Sequence, residues 1–169
     1  MSTISDFRNN VHAPFEYEDE TIRKLFSYFL HSAPLINSVC SRSNVTERAK
    51  ETMWNEFIRK WDEKGFPYKI YSENSKFPTE AVLAKFGLKD DCVINKSTRA
   101  LICFRKGSKT EIETLLRHIR NAMAHASVYV LAKSNRKYIL LEDLNANGSK
   151  RAIILFTQTD LKDLKRATK

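Results

Sequence analysis

The chain has 169 residues, 42% of them hydrophobic, enough for one domain with its own core, and a formal charge of +9 at pH 7. Three cysteines, Cys40, Cys92 and Cys103, show no C-x-x-C spacing, which argues against a disulfide framework or a zinc site and reads as buried thiols in a reducing cytoplasm. No apolar run approaches the ~18 residues needed to span a membrane, and Met1 to Arg8 lacks the charged-then-apolar layout of a secretory signal, so no membrane partner is expected.

Residues 1–17 carry no clear periodicity and read as an irregular leader. The first helix is predicted from Asp19, because Ile22, Leu25, Phe26, Phe29, Leu30 and Ala33 form one apolar stripe before Pro34 ends or kinks it. Leu35, Ile36 and Val39 suggest a further apolar turn. A second long helix is expected from Asn44, capped with help from Glu47, with Ala49, Met53, Phe57 and Trp61 as its stripe and Gly65 and Pro67 as its stop. Residues 66–78 read as a loop or short extended piece, and a short helix is expected from Thr79 to Phe86, closed by Gly87. The run from Thr98 to Phe104 is open between strand and helix.

The next helix is predicted to start with a capping box, either Ser108 with Glu111 or Thr110 with Glu113. At about 100° per residue, Leu115, Leu116, Ile119, Ala122 and Met123 fall in one arc of roughly 120°. Arg117, His118, Arg120, Asn121, Ala124 and His125 fall in the complementary arc of roughly 160°. Beyond Ala126, three β-branched and aromatic runs separated by Lys133–Arg136 and Asn145–Gly148 predict a small antiparallel meander over 127–156. Thr157 and Asp160 should cap a final helix, with Lys165 to Lys169 as a frayed basic end. The whole chain, 1–169, is read as a single α+β domain without internal repeats.

The excess charge is localised. Residues 1–84 hold 11 Lys+Arg against 12 Asp+Glu, whereas residues 85–169 hold 18 against 8. A basic half suits a polyanionic partner, since bound lysines and arginines release counterions, although a solvated basic surface accounts for the same count.

The stretch Arg120-Asn121-Ala122-Met123-Ala124-His125 joins two chemistries. Arginine binds phosphate oxygens in a planar fork and keeps its charge, and histidine moves protons near neutrality. Cleavage of RNA by its own 2′-hydroxyl needs a base, an acid and a cation at the phosphorane, and no cofactor. His125 is the candidate acid/base, Arg120 the phosphate clamp, and Asn121 the residue orienting His125 or the phosphate; Arg117 and His118 are candidate RNA contacts. On an ideal helix Arg120 and His125 point about 140° apart, which favours two such helices meeting face to face, with Ala124 permitting close approach. Other chemistries lack their motifs: there is no G-x-x-x-x-G-K-[ST] loop and no H-E-x-x-H. Glu142-Asp143 could hold a divalent ion only as an isolated carboxylate pair.

The spelling R-N-x-x-x-H resembles the R-x4-H motif of the HEPN superfamily over roughly residues 108–127. The resemblance implies a HEPN-like helical bundle carrying the C-terminal meander and a short terminal helix. It also implies a homodimer with paired motifs at its interface, acting as a metal-independent endoribonuclease on single-stranded or loop RNA. Its implied setting is phage defence or a toxin–antitoxin pair, with an antitoxin or regulatory protein as possible partner. Some members have a tyrosine two residues after the histidine; here Ser127 stands there and tyrosine comes at Tyr129. The competing readings are a non-catalytic RNA- or protein-binding module of the same fold, and an interaction domain whose basic half meets an acidic protein.

Overall fold

The computed structural model describes residues 1–10, 16–34 and 45–169. The expected apolar turn at Leu35, Ile36 and Val39, the cap at Asn44 and the thiol of Cys40 lie outside the described residues. The chain runs through α1 (Ile4–Phe7), α2 (Glu20–Ser27), a π-helical turn (Tyr28–Ser32), α3 (Glu47–Glu63), β1 (Tyr68–Tyr71) and α4 (Glu80–Lys85). It continues through β2 (Ala100–Phe104), α5 (Glu111–Ala124), β3 (Val128–Lys133), β4 (Arg136–Leu144), β5 (Lys150–Thr157) and α6 (Gln158–Thr168).

Side-chain capping sets most of the helix starts. Asp19, Thr46, Thr79, Thr110 and Thr157 each accept from a backbone N–H of the first turn. Thr46 caps α3 and Glu47 is its first residue. Thr110 and Glu113, not Ser108 and Glu111, form the capping box of α5. Proline at position 34 has no N–H to extend the first helix, which ends in the wider turn closed by Ala33 N–H to Tyr28 O at 2.8 Å.

The fold is α+β, but the strands are not confined to a C-terminal meander on a helical bundle. The meander β3-β4-β5 is present as three antiparallel neighbours, and it is extended by two strands from upstream. Strand order is β1-β2-β5-β4-β3, with β2 antiparallel to β5 and β1 parallel to β2. Within the ambiguous run at 98–104, Ala100–Phe104 is a strand, fully buried, because both faces of the sheet are covered.

Alternation along the strands divides the interior in two. Leu101, Cys103, Ile139, Leu141, Ile154 and Phe156 point to one side, where the helices α2, α3, α5 and α6 pack. Ala100, Ile102, Tyr138, Leu140, Ile153 and Leu155 point to the other side, under Ile4, Phe7, Leu88 and Ile94. Within the expected leader, α1 packs against the sheet: Ile4 and Phe7 are fully buried, and Thr3 bridges to Val93. The C-terminal end also differs from expectation, since α6 continues to Thr168, with Ala167 and Thr168 buried.

Candidate functional site

The polar arc of α5 divides by depth. Leu115, Leu116, Ile119, Ala122 and Met123 are all buried on the sheet, as their common arc requires. His118 is buried too, at 1% exposure, although the spacing put it with the polar residues. It sits at the edge of that arc, about 40° from Ala122 on an ideal helix, so the sheet covers it as well.

Burial of His118 is offset by two short hydrogen bonds. Nδ1 lies 2.6 Å from Asp143 Oδ2, and Nε2 lies 2.7 Å from the Phe104 carbonyl. Both partners are acceptors, and a ring nitrogen that carries a proton donates to the one facing it. Asp143 Oδ2 also accepts from Asn121 Nδ2 at 3.2 Å. The amide of Asn121 is thereby turned toward Asp143 and not toward His125, as the motif suggested. His118 is held in the interior and is not a surface contact for RNA.

Arg117 is half-buried beside this network, its Nη2 donating to the Phe104 carbonyl at 3.4 Å. Its Nη2 also lies 3.4 Å from His118 Nε2, which approaches the same carbonyl. Burial lowers the pKa of Arg117, while the Asp143 carboxylate works in the opposite direction. Burial also raises the Cys103 thiol far above its ordinary range, which keeps it neutral and unreactive.

Two guanidinium donors are left over. Arg117 Nε and Arg120 Nε are buried, and neither has a hydrogen-bond partner among the described residues. Such donors are rare in folded proteins and call for an acceptor supplied from elsewhere. Arg120 is itself half-buried, whereas Ala124 and His125 are exposed at the open end of the helix.

The geometry of that end is specific. His125 is the C-cap, its N–H bonded to Asn121 O at 3.0 Å. Ser127 N–H then returns to Ala122 O at 2.8 Å, and Ala126 N–H to Met123 O at 3.2 Å, the Schellman pattern. Its left-handed residue is Ala126, at φ 55°, where glycine is the usual occupant. The helix thus stops at His125 and leaves the ring clear of the sheet.

Asp143 is the member of the site that the motif could not supply. Its position on β4 shares a face with Ile139 and Leu141, so a carboxylate there needed a polar partner from α5; that alternation was the available signal. Its neighbour Glu142 points to the opposite face, where it accepts from Arg8 at 2.6 Å and Lys150 at 3.1 Å. The two carboxylates therefore do not converge as a metal pair. Between Asp143 and Leu144 the pairing with β5 slips by one residue, and the extra residue, Arg151, stacks its guanidinium over Phe104 at 4.7 Å.

Set against known proteins, the chain is matched over residues 35–168 by a family model described as HEPN pEK499 p136. No curated protein and no solved structure gives a match. Among the described residues, no helix is long and apolar enough to cross a membrane.

Proposed function

The chain belongs to the HEPN pEK499 p136 family, and from that membership and the chemistry of α5 we propose that it is a metal-independent endoribonuclease. The observation that carries the reading is the pair at the open end of α5: a buried Arg120 Nε donor without a partner among the described residues, and an exposed His125 at the C-cap. A phosphate oxygen supplies the acceptor that Arg120 lacks, and a bidentate guanidinium stabilises the charge that grows on the phosphorane. His125 moves the proton of the 2′-hydroxyl or of the leaving 5′-oxygen. Asn121 acts through Asp143, as a positioning residue that fixes the rotation of the last helical turn. The products are a 2′,3′-cyclic phosphate and a 5′-hydroxyl, and the substrate is RNA in single strands or loops, where the phosphate is reachable.

The functional unit is a homodimer. Arg120 and His125 diverge by about 140° on one helix, so a single α5 closes poorly around one phosphate. Two α5 ends facing each other at Ala124 bring both pairs together, in the symmetric arrangement that closed dimers use. The biological setting proposed is phage defence or a toxin–antitoxin pair, in which a regulatory protein covers this end of α5.

Single-turnover cleavage and RNA affinity, measured side by side, test the assignment. His125→Ala should lower the cleavage rate about 10²–10⁴-fold with affinity nearly unchanged. Arg120→Ala should lower the rate and weaken binding as well. RNA binding without any cleavage by the wild type would replace the nuclease with a binding module.

A further inference from the structure

We infer that α6 and the cleft at its start form a second RNA-binding track, which grips the sugar–phosphate backbone away from the motif. The inference takes the identity of the strand from the ribonuclease reading, while the site itself rests on different residues.

The face of α6 turned to solvent carries Gln158, Thr159, Lys162, Lys165, Arg166 and Lys169, all within an arc of about 120°. The opposite arc, with Leu161, Leu164 and Ala167, is buried in the core. Toward the C-terminal half, Lys162, Lys165, Arg166 and Lys169 line a groove of about 340 Å³ with Thr21 and Lys24 of α2. At the N-terminal end, Gln158 and Thr159 open into a cleft of about 620 Å³ whose walls include Lys64, Lys96, Arg136 and Lys137. Groove and cleft follow one another along a single helix of 11 residues, about 16 Å long, so their charges form a line and not a cluster.

Much of this charge is uncommitted. Glu20 pairs with Lys24, Asp163 with Arg166 and Lys60, Asp19 with Lys137, and Asp160 with the buried Arg99. Lys64, Lys96, Lys162, Lys165 and Lys169 have no carboxylate partner among the described residues. Lys165 is instead held over the Tyr28 ring at 5.1 Å, and the Tyr28 hydroxyl and Thr168 Oγ1 lie 2.9 Å apart, which fixes α6 against the π-helical turn. The lysines thus stand on a rigid support.

The composition of the track selects its occupant. The large apolar side chains exposed on the described surface are Met1, Tyr68, Val93 and Leu144, and none lies on α6. A membrane-surface helix needs an apolar face to insert, and a protein interface needs buried anchors; this surface offers neither. Spaced cations, with only Leu25 and Phe66 as apolar lining between them, suit a phosphodiester backbone, whose affinity comes from counterion release. The cleft end of the track is remote from the motif. The cleft lies at the Arg136–Lys137 end of β4 and Asn121 contacts Asp143 near the other end, about 20 Å away along the strand. A strand engaged at both sites is therefore several nucleotides long.

The test uses the intact protein and a labelled single-stranded RNA carrying 2′-O-methyl groups, which binds but cannot be cut by 2′-hydroxyl attack. The combined variant Lys162→Gln/Lys165→Gln/Lys169→Gln replaces exposed or half-exposed side chains, and an unchanged melting curve confirms its fold. It should bind roughly 10- to 100-fold more weakly at 100 mM salt, with the slope of log K against log salt shallower by about 2. Adding Lys64→Gln/Lys96→Gln should reduce both further. Arg120→Ala/His125→Ala should keep most of the salt slope, which separates this site from the motif even if the protein proves not to be a nuclease. Wild-type affinity and slope in the lysine variant would overturn the inference. So would a variant that loses polyglutamate or anionic-vesicle binding while holding RNA as the wild type does.

Discussion

Asp143 carries more of the site than its distance from the motif suggests. One oxygen, Oδ2, receives both His118 Nδ1 and Asn121 Nδ2, and the carboxylate is 5% exposed. Its removal leaves a buried imidazole and an amide without their acceptor, the situation in which breaking a buried pair is most costly. Asp143→Ala should destabilise the protein by about 3–5 kcal/mol in urea unfolding. The double variant with His118→Ala should cost clearly less than the two single losses together, since both remove the same contact. A loss under about 1 kcal/mol for Asp143→Ala would mean that the network contributes little. At this scale the sequence made Arg120 and His125 visible, because R-x4-H spacing is local. His118 was misjudged, because helical angle alone cannot tell an arc's edge that faces solvent from one that faces a strand. Only the pairing of α5 with β2 and β4 decides that.

The ends of α5 govern how the motif is presented. Thr110 accepts from Glu113 N–H, Glu113 returns to Thr110 N–H at 2.8 Å, and Lys50 of α3 reaches the same carboxylate at 2.8 Å. Thr110→Ala should cost about 1 kcal/mol, measured by chemical denaturation. At the other end Ala126 sits in the left-handed region, which costs an alanine roughly 1–2 kcal/mol and a glycine almost nothing. Ala126→Gly should therefore stabilise the fold by about 1 kcal/mol, and a loss of stability would show that the turn is not under strain. Burial tends to raise the Glu113 carboxyl, but Lys50 and the Thr110 backbone outweigh it and hold the group below its ordinary value. The bond from Arg8 lowers Asp90 similarly, against the effect of burial. Each of these groups binds fewer protons folded than unfolded, so its stabilisation is present above the ordinary carboxylate range. It is lost as pH falls through the lowered values. Melting temperature should accordingly decline below about pH 4.5, and less steeply in Glu113→Gln. The capping residues Thr110 and Thr157 were legible, since their T-x-x-E and T-x-x-D patterns are read along the chain.

For the molecule as a whole, the sheet is where local reading fell short. The meander was legible because its turns and alternation are contiguous, with Ser134 and Asn135 at positive φ in the β3–β4 turn. Strands β1 and β2 were not, because β2 is an apolar run without alternation and its partners are β5 and β1, far away in sequence. The division of charge between the halves also acquires a location. Four of the basic residues that follow residue 85 share one face of α6, while Arg117 and Arg120 lie on α5. On the proposed reading RNA is drawn by charge at α6 and cut at α5, so raising salt should weaken binding before it slows the chemical step. The central claim, 2′-hydroxyl attack at the Arg120–His125 site, is tested most directly by mapping product ends in excess chelator. The substrate is an RNA with a single 2′-deoxy substitution at its cleavage position, set beside the unmodified strand. The account predicts cleavage of the unmodified strand alone, with 2′,3′-cyclic phosphate and 5′-hydroxyl ends, and none by His125→Ala. Cleavage at the 2′-deoxy position, or products ending in 3′-hydroxyl and 5′-phosphate, would contradict it.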